Sequence, residues 1–330
     1  MNRSALRHGL SLLLRVGITA VLLWYVFGKV DFEALRGRVL DFSPALIAIA
    51  VSILGAQVLA GAMRWRRVIY GIHGRLPFAI VFQLMFVGMF FNQALPSAIG
   101  GDAMRVWHVY RYGLPLRAAF NSVLLDRVIA MAALLLVMLA GLPWLFQLVT
   151  SSGIRMAVVI AAVLMAVGLL VLYLLKFLPA ALTRWRIMRA LQNLSKDLHA
   201  LVAAPGVVFP VIVLSLLLHV MTSLVIYAIA RSLGLGIGVV ECLVLVPPVI
   251  LLTILPISLA GWGVRELGMI SALGYAGISS SDALLISITF GVLIVLVSLP
   301  GGWLWLVKKY HQPHTELSYS DATAGKAPDA

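Results

Sequence analysis

The sequence predicts an all-α polytopic membrane protein with six full spans and two oppositely oriented re-entrant hairpins, arranged as an inverted internal repeat. Three observations predict it. Of 330 residues, 62% are hydrophobic and 11% charged, and the mean hydropathy is +1.05; so few charges cannot cover a soluble domain. Apolar runs recur at the length of about 20 residues that a bilayer-spanning helix needs. Two further apolar runs end in Pro/Gly-rich segments that match each other at an offset of 160 residues.

The spans fall at about 9–28, 44–63, 122–149, 155–177, 207–230 and 282–307, several of them bounded by interfacial aromatics such as Trp24, Tyr25, Trp65, Trp144, Trp303 and Trp305. The first is basic at its start (Arg3, Arg7) and lacks a small-x-small cleavage site before Trp24, so it reads as a retained helix rather than a signal peptide. Residues 180–204 repeat Ile187, Ala190, Leu191, Leu194, Leu198, Leu201 and Val202 at helical spacing, with Arg184, Arg186, Arg189 and Lys196 elsewhere on the wheel. That pattern predicts an amphipathic helix lying on an anionic membrane face. The polar stretch 311–330 reads as a disordered cytoplasmic tail, leaving one transmembrane domain over 1–310.

The two exceptional stretches are 78–95, which runs into Asn92–Asp102, and 239–256, which is interrupted by Pro247-Pro248 and runs into Leu255–Glu266. Proline and glycine at this density break helices. Non-helical backbone at membrane depth survives only inside protein or beside a water-filled cavity. With both termini cytoplasmic and both broken stretches returning to the side they enter from, sixteen basic residues fall in cytoplasmic segments against five outside. A full crossing by either stretch would destroy that positive-inside bias.

Both stretches read Leu-Pro-x(4)-Gly-x(3)-Arg, as Leu95, Pro96, Gly101, Arg105 and as Leu255, Pro256, Gly261, Arg265. The same offset carries span 44–63 onto 207–230 and span 122–149 onto 282–307. Repeat A then covers about 9–149 and repeat B about 155–308, the second inverted relative to the first. Inverted repeats with discontinuous helices are an architecture of secondary transporters.

Formal net charge is +13, but the basic residues lie between apolar runs, which points to membrane orientation and away from nucleic acid. The single cysteine, Cys242, excludes an intramolecular disulfide and a multi-Cys zinc site. No HExxH, P-loop, G-x-S-x-G or CxxC motif occurs, and the acids are scattered. No catalytic residue, metal or cofactor is therefore expected, and the chain is not expected to be an enzyme.

What remains is charge at the breaks. A helix starting after Gly100-Gly101 or Gly261-x-Gly263 directs N–H groups and its positive dipole end into the membrane, and Arg105 and Arg265 add formal charge there. Facing each other, these half-sites would form a receptor for an anion, for which a lipid phosphate is the available candidate. Asp102 and Glu266 read as charge partners or proton sites, or alternatively as static structural pairs. Asn92 is placed to satisfy backbone groups freed by the break, and Asp126-Arg127 either pins the first hairpin or snorkels. Arg64-Trp65-Arg66-Arg67 reads as a cytoplasmic stop with an aromatic anchor, or as a headgroup contact. His219 reads as a satisfied core histidine, and His108 as interfacial.

Arg64-Trp65-Arg66, Asn92-x-x-Leu95-Pro96-x-x-Ile99-Gly100-Gly101-Asp102-x-x-Arg105, Asp126-Arg127 and Leu255-Pro256-x-Ser258-x-x-Gly261-x-Gly263-Val264-Arg265-Glu266 together resemble a known set. They are similar to the flippase-like membrane family that includes the transmembrane region of bacterial lysylphosphatidylglycerol synthases, over about residues 10–308. Ala260 stands where that pattern is expected to carry a second glycine. The resemblance implies a bacterial inner-membrane protein that moves a lipid or lipid-linked group between leaflets. It nominates Gly100, Gly101, Asp102, Arg105, Gly261, Gly263, Arg265 and Glu266. The bifunctional synthases carry a soluble aminoacyl-transfer domain after the membrane part, so this chain is not expected to make lysylphosphatidylglycerol. The alternative expectation is a non-transporting subunit presenting a lipid to a partner glycosyl- or acyltransferase.

Overall fold

The computed structural model describes residues 42–95, 100–179, 184–254, 258 and 261–307. The expected first span at 9–28, the tail at 311–330 and the tips of both Pro/Gly segments, with Pro96, Ile99, Pro256 and Ala260, lie outside the described residues. Within them the chain forms ten α-helices and no strand. They are α1 (Pro44–Gly71), α2 (Phe78–Ala94), α3 (Gly100–Arg111), α4 (Leu116–Leu148), α5 (Ser152–Leu174), α6 (Arg186–Val202), α7 (Pro205–Ser232), α8 (Val239–Ile254), α9 (Val264–Gly274) and α10 (Ser280–Val307).

Five are long and apolar enough to cross a membrane: α1, α4, α5 with its 3₁₀ continuation to Phe177, α7 and α10. Pro44 and Pro205 open α1 and α7 where a missing N–H costs nothing. Ser151 caps α5 by accepting from Ile154 N–H at 3.4 Å. The rest of α5 buries only Ala162, so nearly its whole circumference is an apolar surface of the kind that lipid covers.

Helices α1 and α7 cross at the centre, where Gln57 Nε2 donates to Leu218 O at 3.0 Å and to Thr222 Oγ1 at 2.9 Å. On one side α10 packs on α2; on the other α4 packs on α8. Both contacts use glycine. A side chain at Gly301 would strike the Phe86 backbone, and one at Gly141 would meet Val244 at 3.6 Å. Small residues of this kind let membrane helices approach closely.

Each short pair doubles back on itself. Gly101 lies against the Gly88 backbone and Asn92, while Gly88 lies against Arg105, so α2 and α3 run antiparallel. Gly261 lies against Thr253 and Gly268 against Val249, which sets α8 and α9 in the same relation. The Pro247-Pro248 pair does not interrupt the second stretch as expected: α8 runs through it to Ile254. Proline removes the bond to the carbonyl four residues earlier. Here Val244, Leu245, Val246, Pro247 and Val249 are all buried, and packing on α4, α7 and α9 holds the turn in helical form.

The amphipathic stretch forms a helix, Arg186–Val202, inside the expected 180–204. Leu194, Leu198 and Leu201 of α6 are buried with Val68 of α1, Leu125 and Ile129 of α4 and Val211 of α7. Ile187 and Val202 remain exposed. Its apolar stripe therefore packs on α1, α4 and α7, because the bundle offers a complementary apolar face.

Candidate functional site

Two charged clusters lie inside the described helices, one at each hairpin. The first begins with Asp126 on α4, which is 1% exposed. Its Oδ1 accepts from Arg64 Nε at 2.8 Å and its Oδ2 from Arg105 Nη2 at 2.9 Å, so one carboxylate joins α1 to α3. Arg105 Nη1 also donates to Asp102 Oδ1 at 3.3 Å. Asp102 is held more closely by Arg127, whose Nε donates to Oδ2 at 2.8 Å and Nη2 to Oδ1 at 3.2 Å. Arg105 lies 3.9 Å over the Trp65 ring, a cation–π contact, and its Nε is buried without a hydrogen-bond acceptor.

Position follows from helical periodicity. Leu54, Val58, Gly61, Trp65 and Val68 form the inward stripe of α1, and Arg64 falls beside it. Arg64 and Trp65 are 8% and 0% exposed, so they are interior groups and not the cytoplasmic stop and interfacial anchor that the basic run implied. Only Arg66 and Arg67 behave as that reading expects. Asp126 falls on α4's packed face about three turns from its start, where it pins α1 to α3, and Arg127 beside it closes the cluster on Asp102. His108 likewise is buried at 1% exposure, its Nδ1 2.8 Å from Met104 O, and is not interfacial. His219 Nε2 lies 2.9 Å from Ala130 O.

The second cluster is smaller. Glu266 is 0% exposed and Arg265 6% exposed. Arg265 Nη2 donates to Glu266 Oε1 at 2.8 Å, and Arg265 Nε bonds both Glu266 Oε1 at 3.1 Å and Ser287 Oγ at 3.2 Å. Ser287 Oγ donates to the same Glu266 oxygen at 3.1 Å. The guanidinium lies 4.5 Å over Trp262 and 5.8 Å from the Phe290 ring. Gly291 leaves its room, since a Cβ there would strike Arg265 Nη2.

Both helix starts are already capped from within. Gly101 N–H donates to Asn92 Oδ1 at 2.9 Å, and Gly263 N–H donates to Glu266 Oε2. Gly261 and Gly263 take φ of +82° and +85°, the left-handed region that glycine tolerates. One N–H at each start is thus occupied, at α9 by a carboxylate seated where the helix dipole favours an anion. Among the described residues no group bonds both Arg105 and Arg265; each is held by its own acids because an unpaired cation in a bilayer is costly.

The clusters differ in charge. Arg64, Arg105 and Arg127 against Asp102 and Asp126 leave one positive charge in excess, whereas Arg265 and Glu266 balance. No group of three or more His, Cys, Asp or Glu among the described residues is placed to hold a metal.

Residues 12–301 match the family model described as the lysylphosphatidylglycerol synthase transmembrane region. No curated protein matches the chain. The match spans most of the sequence and includes both charged clusters, while the long apolar helices make the chain integral to a membrane. This all-helical membrane protein therefore belongs to the family of lysylphosphatidylglycerol synthase transmembrane regions.

Proposed function

We propose that the chain is a lipid transporter, moving an anionic phospholipid or a lipid-linked phosphate between leaflets of a bacterial inner membrane, with both termini cytoplasmic. The observation that carries this reading is the pair of buried, acid-neutralised arginines, Arg105 and Arg265, each near the start of a short helix that follows a glycine break. A phosphate competes for a guanidinium with a carboxylate, through the same bidentate geometry. Asp102 and Glu266 then act as placeholders: they neutralise the arginines without substrate and release them to it.

Architecture supports the reading. Helices α2 and α8 have 17 and 16 residues. At 1.5 Å per residue they reach about 24–26 Å, short of a hydrocarbon core of about 30 Å. Each doubles back through a glycine break, as a re-entrant hairpin does. An offset of 160 residues exchanges α1 with α7, α2 with α8, α3 with α9 and α4 with α10, and the α2–α10 contact with the α8–α4 contact. Gly141 and Gly301, the glycines at those two contacts, are separated by that same offset. An inverted repeat has this exchange of partners, and rocking one half against the other is how such folds alternate access. An apolar cleft of about 550 Å³ between α4, α5, α8 and α9, walled by Leu145, Ile154, Leu252 and Leu267, offers a lateral place for an acyl chain.

The test is leaflet exchange of fluorescent anionic lipids in proteoliposomes. Arg105→Ala and Arg265→Ala each remove one partner of a buried pair, and the fraction of each that purifies folded in detergent is expected to show no exchange. Undiminished exchange in both variants would remove the arginines from the transport site, and absence of exchange by the unsubstituted protein over a broad headgroup panel would overturn transport itself.

A further inference from the structure

A second basic site lies outside both clusters, at the end of the bundle where α1 finishes and α7 begins. A cleft of about 660 Å³ opens there between the two helices, a volume typical of small-molecule sites. Its mouth carries Arg66, Arg67 and Tyr70, and its wall is the apolar row Met63, Phe209, Val213 and Leu214. An adjoining recess of about 380 Å³ shares Arg66 and Tyr70 and adds Arg75. The arrangement is amphipathic in one direction: charge at the rim, hydrocarbon along the wall.

The three arginines are exposed and, among the described residues, pair with no acid. Arg66 Nε donates to Leu76 O and Arg67 Nη1 to Gly206 O, each at 3.4 Å, which anchors the side chains while leaving their remaining N–H groups directed elsewhere. The acids Asp102, Asp126, Asp197, Glu241, Glu266 and Asp282 all lie outside this cleft and its recess. Clustered guanidinium groups without carboxylates, at the end of membrane-spanning helices, attract the anionic surface of a leaflet. The apolar wall accounts for the rest of the ligand, because a free phosphate gains nothing from Phe209 or Leu214.

We propose that this cleft is a binding site for an anionic phospholipid, its phosphate on Arg66 and Arg67 and one acyl chain along Met63, Phe209, Val213 and Leu214. The site is distinct from the buried clusters and stands whether or not the chain transports lipid. It ties the α1–α7 crossing to the lipid composition of one leaflet.

The experiment is lipid retention by the purified full chain in a non-ionic detergent, read by native mass spectrometry with dioleoyl phosphatidylglycerol and dioleoyl phosphatidylcholine. The intact chain is expected to prefer phosphatidylglycerol by at least about tenfold, which corresponds to about 1.4 kcal/mol. R66Q/R67Q is expected to cut the preference severalfold, leaving only what lipid held at the buried arginines contributes. Val213→Trp, which fills the wall, is expected to weaken retention of both lipids, so the site can be probed without touching its charge. Arg105→Ala and Arg265→Ala are expected to keep the preference. Equal retention of the two lipids by the intact chain, or a preference undiminished in R66Q/R67Q, would overturn the site. So would loss of the preference in Arg105→Ala, which moves the retained lipid to the buried cluster. Soluble glycerol phosphate binding as tightly as the lipid would overturn the lipid assignment in favour of a free phosphate site.

Discussion

Asp126→Ala is the sharpest test of how the first cluster is built. Asp126 is 1% exposed and carries two guanidinium groups at 2.8 and 2.9 Å. Removing one partner of a buried pair costs about 3–5 kcal/mol, because the remaining charge stays buried and unpaired. Arg105 would keep Asp102 at 3.3 Å, but Arg64 would keep only the Ser215 hydroxyl at 3.4 Å. The loss should therefore lie toward the upper part of that range. Asp102→Ala removes as many guanidinium contacts, yet its main partner Arg127 is 43% exposed and Asp102 itself 16% exposed. Solvent can rehydrate Arg127, so this loss should stay near the value of about 1 kcal/mol for partly exposed pairs.

Equilibrium unfolding of the two variants in mixed micelles of SDS and a non-ionic detergent measures the ranking directly. A third protein, R64M/D126L, removes acid and base together; apolar replacement of both partners is often close to neutral. It should recover at least about 1 kcal/mol relative to Asp126→Ala, since directly bonded groups couple by roughly that much or more. Equal losses for Asp126→Ala and Asp102→Ala, or no recovery in the double variant, would refute the argument that Asp126 is the buried pin of α1, α3 and α4.

Three further outcomes follow from glycine. Gly101→Ala and Gly301→Ala place a methyl against the Gly88 and Phe86 backbones, which cannot rotate away, so each should cost about 1–3 kcal/mol in the same unfolding assay. Gly55→Ala and Gly168→Ala, with nothing within 4 Å, should instead be neutral or stabilise their helices by about 0.5–1 kcal/mol. Gly263→Ala forces a side chain to φ +85° at the cap that Glu266 closes, and should cost about 1–2 kcal/mol of folded stability; a loss below a few tenths would show that the turn relaxes.

Span positions were legible because apolar length and helical propensity act locally. Three of the five long helices lie within a few residues of where apolar runs place them; α1 runs on to Gly71, past the expected end at 63, and α4 starts earlier, at Leu116, because the flanking segments are helical but mixed in polarity. Breaks at Gly101 and Gly261 were legible for the same reason. Pro247-Pro248 was not, since whether a proline pair ends a helix depends on what packs around it. Arg64 was hidden in a basic run, and its partner lies 62 residues away. A signal existed nonetheless: Arg64 adjoins the stripe Leu54, Val58, Gly61, Trp65 and Val68, whereas Arg66 and Arg67 do not. Ser287, which holds Arg265 and Glu266, gave no such signal, because a serine inside an apolar span is as readily bonded to its own backbone.

Under the proposed function, the charge difference between the clusters bears on how the two would share one anion. If both arginines met the substrate with equal readiness, neither half would be favoured and the phosphate would have no preferred first contact. The α3 cluster, however, has one positive charge in excess and an exposed member, Arg127, while the α9 cluster is neutral and closed by Gly263, Ser287 and Glu266. Under the proposed function an anion gains Coulomb energy at the first cluster before any ion pair breaks, whereas at the second it must displace Glu266 at the outset. The two halves of the repeat therefore differ in order of engagement, with Arg127 and Arg105 first and Arg265 second. Arg127→Ala should then slow leaflet exchange by weakening substrate capture, seen as a higher lipid concentration at half-maximal rate with the maximal rate kept. Arg265→Ala should lower the maximal rate itself, and the reverse assignment of these two effects would overturn that order.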